Sequence, residues 1–169
     1  MSGLRKDYVY TSTLISEVKD HIADTVIPIQ QRSFYVFDQD DLEAHLSQMT
    51  LPFVAVMYSG MEPYDGSSGA NPSKDLQLNS SAVQQQLVIA IVVVDEYHGA
   101  GLDHDSNDVT KHSITDLLDD TRHAMLGYRG VNSRPWGWVG ESPLETSLQN
   151  VVMYAQNWRT LVPLTKTPS

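Results

Sequence analysis

The sequence contains no cysteine, and this absence removes several classes of chemistry at once. A chain of 169 residues without a thiol has no disulfide, no thiolate metal site and no cysteine nucleophile. Long apolar runs are also missing: the longest, Leu87 to Val94, has eight residues, whereas a membrane-spanning helix needs about 18 or more. The first residues lead straight into polar sequence without the apolar segment of a secretion signal. The sequence therefore indicates a cytosolic protein whose fold depends on its hydrophobic core.

Basic residues are scarce. Lysine and arginine total 11 against 21 aspartates and glutamates, which gives a net charge of −10. Apart from the adjacent Arg5 and Lys6, the basic residues are scattered singly along the chain. Proteins that grip nucleic acid normally present a clustered basic face. Specific nucleic-acid binding is therefore disfavoured, and an acidic surface would repel DNA.

Recognisable catalytic motifs are absent as well. The sequence has no His-Glu-x-x-His, Gly-x-Ser-x-Gly, Walker A or Gly-x-Gly-x-x-Gly pattern. His21, His45, His112 and His123 lie singly on predicted helices, and we interpret them as surface or boundary residues. The sequence thus predicts no catalytic residue and no cofactor.

One acidic segment, Asp95 to Asp108, brings carboxylates and imidazoles close together in the sequence. Asp103, Asp105 and Asn107 match the opening of a calcium loop, but the sixth position is aspartate and the twelfth is isoleucine, where such loops carry glycine and glutamate. We interpret the segment as a solvated acidic loop with no metal. The alternative is a metal-dependent hydrolase that uses Asp95, His98, Asp103, His104 and Asp105.

Apolar residues recur at helical spacing in three segments. The first predicted helix runs from about Ser12 to Thr25, and a short second helix follows an N-cap at Asp38. The third runs from about Asp108 to Leu126, with Gly127 just past its end.

Three apolar runs predict strands: Phe53 to Tyr58, Val83 to Val94, and Leu148 to Leu161. Pro135 to Gly140 fits either a short strand or a turn, and Phe34 to Phe37 is a short aromatic run. The second half of the Val83 strand has no polar face, so we expect it to be central and covered on both sides. The element order predicts an α+β fold, with a mostly antiparallel sheet of about four strands flanked by two to three helices.

The chain, residues 1–169, is predicted to form a single domain with a long projecting loop at about 60–81. This stretch is rich in glycine, serine and proline, and connections of such length are uncommon in compact domains unless they are functional. The last residues, 163–169, are expected to form an unstructured or exchanged tail. The loop residues expected to contact a partner are Met61, Tyr64, Leu76 and Leu78.

The heavy aromatic residues concentrate near the C-terminus. Trp136 and Trp138 lie beside turn-forming residues, so we expect both to be partly exposed. Two interpretations stay open for the pair: packing into the core, or anchoring an interface with a partner.

The order of elements resembles a known family. A helix and a short helix precede the strand at Pro52 to Gly60 (PFVAVMYSG), and a long loop then leads to the Val83 strand. The third helix, the string PWGWVGE at Pro135 to Glu141 and a final strand with Tyr154 follow. Over about residues 10 to 162 this pattern is similar to the tail terminator, or tail completion, proteins of long-tailed bacteriophages, in the group of Gp37-like minor tail proteins.

This resemblance implies a structural protein of the virion and no enzyme. Such proteins form a ring, usually hexameric, that caps the tail tube, ends its elongation and joins the tail to the head at the neck. The implied partners are further copies of the chain, the tail tube protein, the head-completion or neck protein and, in contractile tails, the sheath protein. DNA would pass through the channel without specific binding, and the ring would be assembled in the host cytoplasm.

A third hypothesis is a monomeric module that binds a protein through Trp136 and Trp138.

Overall fold

The fold was analysed in a computed structural model that describes residues 9–64, 82–96 and 113–165. Single turns of 3₁₀ helix occupy Ile27–Ile29 and Leu46–Gln48. None of the helices in these ranges is long and apolar enough to cross a membrane. The helices and strands, in chain order, are α1 (Thr11–Thr25), β1 (Ser33–Val36), α2 (Gln39–His45), β2 (Phe53–Pro63), β3 (Ala82–Glu96), α3 (Ile114–Met125), β4 (Gly137–Leu144) and β5 (Val151–Thr165).

The strands form one five-stranded sheet in the order β1-β2-β3-β5-β4. β1 is parallel to β2, and the other three pairings are antiparallel. The predicted α+β class with a mostly antiparallel sheet is thus confirmed, but the sheet has five strands where about four were expected. The additional strand is the aromatic run at β1, which has only four residues and is too short to show a periodicity.

The central strand is β3, as its continuous apolar run predicted. Ile91 and Val93 pack on one face of the sheet, and Val92 and Val94 pack on the other. All four side chains are completely buried. This part of the strand, residues 91–94, has neighbours on both edges and cover on both faces, so it has no position left for a polar side chain.

Helices α1 and α3 cover one face of the sheet. Ser113 caps α3 through a reciprocal pair of hydrogen bonds with Asp116. Gly127 follows the helix with φ of +76°, a left-handed conformation that glycine adopts without strain, so the predicted end of α3 is confirmed. The helical side chains buried in this layer are Leu14, Ile15, Val18, Ile22, Leu117, Leu118, Ala124 and Met125.

The opposite face is covered by α2 and the 3₁₀ turn after it. The carboxylate of Asp38 accepts a hydrogen bond of 2.8 Å from the backbone N–H of Asp41, so the predicted N-cap is confirmed. Leu42 and Leu46 pack into a second cluster, which includes Phe53 at the start of β2. The sheet is therefore the middle of three layers.

Strands β2 and β5 are longer than expected. β2 continues through Gly60 to Pro63, with an irregularity in its pairing to β3 between Tyr58 and Gly60. Gly60 has φ of +133°, which fits a bulge that a glycine makes cheaply. Consequently the first four residues of the predicted loop belong to the sheet, and Pro163 of the predicted tail pairs with β3. Residues 65–81 and 166–169 lie outside the described ranges.

Candidate interaction surfaces at the two edges of the sheet

The predicted loop contacts are only partly within the described residues. Met61 lies in β2 and packs, half-buried, against the core beneath α1 and α3. Tyr64 directly follows β2 and is also half-buried. Leu76 and Leu78 lie outside the described ranges. Whether these four residues contact a partner stays a prediction.

The two predicted interface tryptophans have different environments. Trp136 is 3% exposed and belongs to the core, so the expectation that it is partly exposed is wrong. The cause is the connection between α3 and β4. In this connection Arg129 forms an isolated antiparallel β-bridge with Pro135, and the backbone N–H of Trp136 donates a hydrogen bond to the backbone carbonyl of Tyr128. This closure directs the Trp136 side chain inward. Trp138 is 41% exposed, as expected.

The residues of the hydrolase alternative are mostly not described. Asp95 is buried near the end of β3, where its carboxylate accepts a hydrogen bond of 2.7 Å from the N–H of Glu96. His98, Asp103, His104 and Asp105 lie outside the described ranges. Within those ranges, no group of three or more histidines, aspartates and glutamates could hold a metal ion. The hydrolase alternative stays a prediction.

Exposed aromatic residues surround the edge strand β1. Phe34 and Tyr35 belong to β1, Phe37 follows it, and Tyr58 lies on the neighbouring β2; all four are exposed. Phe34 also contacts the buried ring of Phe53, with ring centroids 6.0 Å apart. We call Phe34, Tyr35, Phe37 and Tyr58 the β1 surface. Phe34 and Tyr35 are neighbours along a strand and point to opposite faces of the sheet: Tyr35 lies with Tyr58 on the side of α1, and Phe34 lies with Phe53 on the side of α2. Exposed apolar side chains at a sheet edge mark sites where proteins interact.

Sequence reasoning missed the β1 surface, although it left a signal. The aromatic run at 34–37 has no polar alternation, which is unusual for a strand with one solvated face. Tyr58 ends the apolar run that predicts β2, and its side chain is exposed although those of Phe53 to Met57 are buried. β1 pairs only with Val54 to Met57, so β2 loses its neighbour on this side at Tyr58.

A groove lies beside the β1 surface, between α1 and the first two strands. Its volume is about 500 Å³. Tyr35, Tyr58 and Ile15 supply its apolar lining, and Lys19 supplies a positive charge. The remaining lining residues carry hydroxyl groups: Thr11, Ser12 and Ser16. A concave site with aromatic walls and a few hydroxyl groups can hold a large side chain or a small molecule.

A second group of exposed apolar residues lies on the other edge strand, β4. Its members, the β4 surface, are Trp138 and Val139, both in β4. The Trp138 ring contacts the buried Trp158 edge-on, with centroids 5.1 Å apart.

The side chain of Arg122 holds Trp138 from the side of α3. Its guanidinium carbon lies 5.8 Å from the centre of the Trp138 ring, a distance at which a cation is attracted to an aromatic face. The same guanidinium forms ion pairs with Asp119 at 2.7 Å and with Glu141 at 3.3 Å. The Trp138 ring is therefore exposed to solvent, and its position is fixed by contacts with Trp158 and Arg122.

The two surfaces lie at opposite edges of one sheet, because β1 and β4 are the first and last strands in the spatial order. With neighbouring strands about 4.8 Å apart, the two edge strands are separated by roughly 19 Å. The groove beside β1 is lined by α1, and Trp138 rests on Trp158 in the cluster beneath α1 and α3. Both features therefore occupy the same face of the sheet.

Charges of both signs lie near each of the two surfaces. Asp38, Asp40 and Asp41 directly follow the β1 surface in the sequence. Arg129 and Arg134 lie in the connection that leads into β4, and both are exposed. Lys19 also lines the groove beside β1, and Asp119 and Glu141 lie beside Trp138 through their ion pairs with Arg122.

Histidine and tyrosine side chains join α1 to the end of α3. His21 Nε2 lies 2.7 Å from the carbonyl oxygen of Ala124 and must donate, since a carbonyl only accepts. The Tyr128 hydroxyl donates to the carbonyl of Glu17 at 3.4 Å. Burial raises the pKa of Tyr128, and the negative charges of Glu17 and Asp20 raise it further. This cluster holds two helices together, which agrees with the interpretation of His21 as a boundary residue.

Taken together, the described surfaces are suited to contacts between proteins. Each combines large apolar side chains with charged groups at its margin, which is the usual composition of an interface core and rim. No protein-family model matches this chain, and no curated protein matches it either.

Proposed function

We propose that this chain is a structural protein of a phage virion that forms a ring at the head-proximal end of the tail tube. The ring ends tail elongation and provides the surface to which the neck of the head attaches. One observation carries the proposal: two unlike apolar surfaces lie at opposite edges of the same sheet. When unlike surfaces of identical subunits bind head to tail, the product is a closed ring if the rotation between subunits closes.

The number of subunits, the place in the virion and the partners are taken from the resemblance to tail terminator proteins, because the two surfaces alone do not indicate them. The resemblance implies a hexamer, a place at the tail–neck junction, and the partners of the ring: the tube protein, the head-completion protein and, in contractile tails, the sheath protein. The resemblance also implies a small sheet flanked by helices, and the five-stranded α+β fold agrees with this.

The net charge suits a channel for DNA. Each copy carries −10, so six copies would carry about −60, a strong field even after screening by salt. Negative walls would keep the passing phosphate backbone from adhering.

A monomeric binding module is the second candidate, since the exposed Trp138 beside Arg122 is the kind of anchor that binding surfaces use. This hypothesis uses one of the two surfaces and gives no role to the other. The ring accounts for both, and we therefore prefer it.

Electron microscopy of particles that carry the chain tests the proposal. We expect ring density between the tail tube and the neck, and we expect particles assembled without the chain to have tails of uncontrolled length that do not join heads. Complementation with Leu148→Ala, a change in the β4–β5 turn, is the matched control and should restore normal tails. Normal tails in the absence of the chain, or its location elsewhere in the virion, would disprove the proposed function.

A further inference from the structure

We infer that the β1 surface of one copy binds the β4 surface of the next copy, with the Trp138 side chain seated in the groove between Tyr35 and Tyr58. This inference rests on the proposed ring and deepens it by naming the two surfaces that meet. It commits to a second copy of this chain as the occupant of the groove.

The groove and the indole match in chemistry. Among the exposed large apolar side chains of the described residues, Trp138 is the one aromatic at the β4 edge, and the groove has walls of two phenol rings. Aromatic rings pack favourably against one another edge-on or offset. The indole N–H can only donate, and the hydroxyl oxygens that line the groove can accept it. A buried tryptophan in a pocket is the typical centre of a stable interface.

The placement of the two features allows this contact between neighbours in a ring. Both lie on the face of the sheet covered by α1 and α3, at opposite edges. Subunits related only by rotation about the ring axis present the same face in the same sense. The β4 edge of one copy therefore approaches the β1 edge of the next with the ring of Trp138 and the groove on the same side.

Trp138 is also held ready for binding. Trp158 lies beneath it and Arg122 lies beside it, so the ring loses little freedom when it enters a groove. Pairing of strands between copies is disfavoured at this edge, because β4 carries Pro143 and a bulge at Val139. The contact therefore depends on side chains and not on an extended sheet.

A pair of complementary variants tests the inference. Tyr35→Asp leaves the β4 surface intact, and Trp138→Asp leaves the β1 surface intact. By native mass spectrometry and sedimentation, at concentrations up to about 1 mM to include weak contacts, we expect the unmodified chain to form oligomers and each variant alone to be a monomer. An equal mixture should form a one-to-one heterodimer and nothing larger, because one good contact remains between the two variants. Leu148→Asp, outside both surfaces, should assemble like the unmodified chain.

Three results would overturn the inference: an unmodified chain that stays monomeric over this range, a variant that dimerises by itself, or a mixture that stays monomeric. Circular dichroism and thermal unfolding establish that each variant is folded. If either aspartate variant fails to fold, Tyr35→Ala or Trp138→Ala replaces it, and the same three results would overturn the inference.

The test separates this inference from the proposed function. A heterodimer together with particles that lack a ring at the tail end would support the contact and reject the tail function. A ring at the tail end together with unpaired variants would support the function and reject the contact.

Discussion

The imidazole of His21 lies flat against the phenol ring of Tyr128, with ring centroids 3.9 Å apart and planes within 5° of parallel. His21 belongs to α1 and Tyr128 follows α3, so the stack joins the two helices that cover one face of the sheet. This face also carries the groove beside β1 and the support of Trp138. The position of α1 relative to α3 therefore affects both candidate surfaces.

Removal of the His21 ring should loosen the contact between α1 and α3. His21→Ala loses the stack and the hydrogen bond of 2.7 Å to the Ala124 carbonyl, and we expect a loss of about 1–2 kcal/mol in the free energy of unfolding. Urea denaturation measures this. His123→Ala, an exposed histidine on α3, is the control and should be nearly neutral. Equal effects of the two substitutions would show that the stack does not stabilise the fold.

The stability of the chain should fall at high pH through Tyr128. Burial and the nearby Glu17 and Asp20 raise the pKa of this phenol above its ordinary value of 10.0. A group whose folded pKa is raised contributes stability that is fully present below the unfolded pKa and is lost as the pH rises through the folded pKa. Urea midpoints measured from pH 9 to pH 11, a range of about one unit either side of an ordinary tyrosine pKa, should therefore decrease.

Tyr128→Phe isolates this contribution. The variant keeps the aromatic ring but has no proton to lose, so its midpoints should decrease less steeply above pH 10 than those of the unmodified chain. Tyr35→Phe, which removes the hydroxyl group of an exposed tyrosine of β1, is the matched control, and its profile is compared with that of Tyr128→Phe. Identical profiles for Tyr128→Phe and the unmodified chain would contradict the assignment.

A charge in the central strand should prevent folding. Ile89 is completely buried in β3, and Ile89→Asp would bury an unpaired carboxylate at a cost of several kcal/mol, comparable to the whole stability of a domain. Val88→Asp is the control, because Val88 is adjacent, half-exposed and on the other face of the sheet. We expect the Val88 variant to unfold cooperatively in urea and the Ile89 variant to be insoluble or unfolded. A soluble Ile89 variant with a cooperative transition would disprove the placement of this strand.

The helices and the central strand were predictable because several apolar residues in each element indicate the same structure. The apolar spacing in α1 places Leu14, Ile15, Val18 and Ile22 on one face, and all four are buried. The run in β3 is long enough to require cover on both faces. Each of these patterns predicts burial from several residues together, so a single residue that departs from the pattern does not change the prediction.

The candidate surfaces were less predictable because they depend on where elements end in space. Tyr58 lies in an apolar run, yet it is exposed because β1 ends before reaching it. Trp136 and Trp138 are two positions apart beside similar turn residues, and a backbone closure through Arg129 and Pro135 buries only one of them. The residues adjacent in the sequence do not determine whether these side chains are exposed, because their exposure depends on where a partner strand ends or how a connecting turn closes.

Substitutions of the two tryptophans should therefore affect different properties: those of Trp136 the stability of the fold, and those of Trp138 the association of copies. Trp136→Ala empties a core position and should cost about 3–5 kcal/mol in the free energy of unfolding, as truncations of buried aromatic residues do. Trp138→Ala removes a ring that is 41% exposed, so its cost in urea denaturation should be clearly smaller. At concentrations where the unmodified chain is oligomeric, Trp138→Ala should be monomeric by sedimentation. Trp136→Phe, which keeps an aromatic ring in the core, should recover most of the stability and assemble normally. If Trp138→Ala assembled like the unmodified chain, Trp138 would not be the anchor of the contact, whatever the stability of the variant.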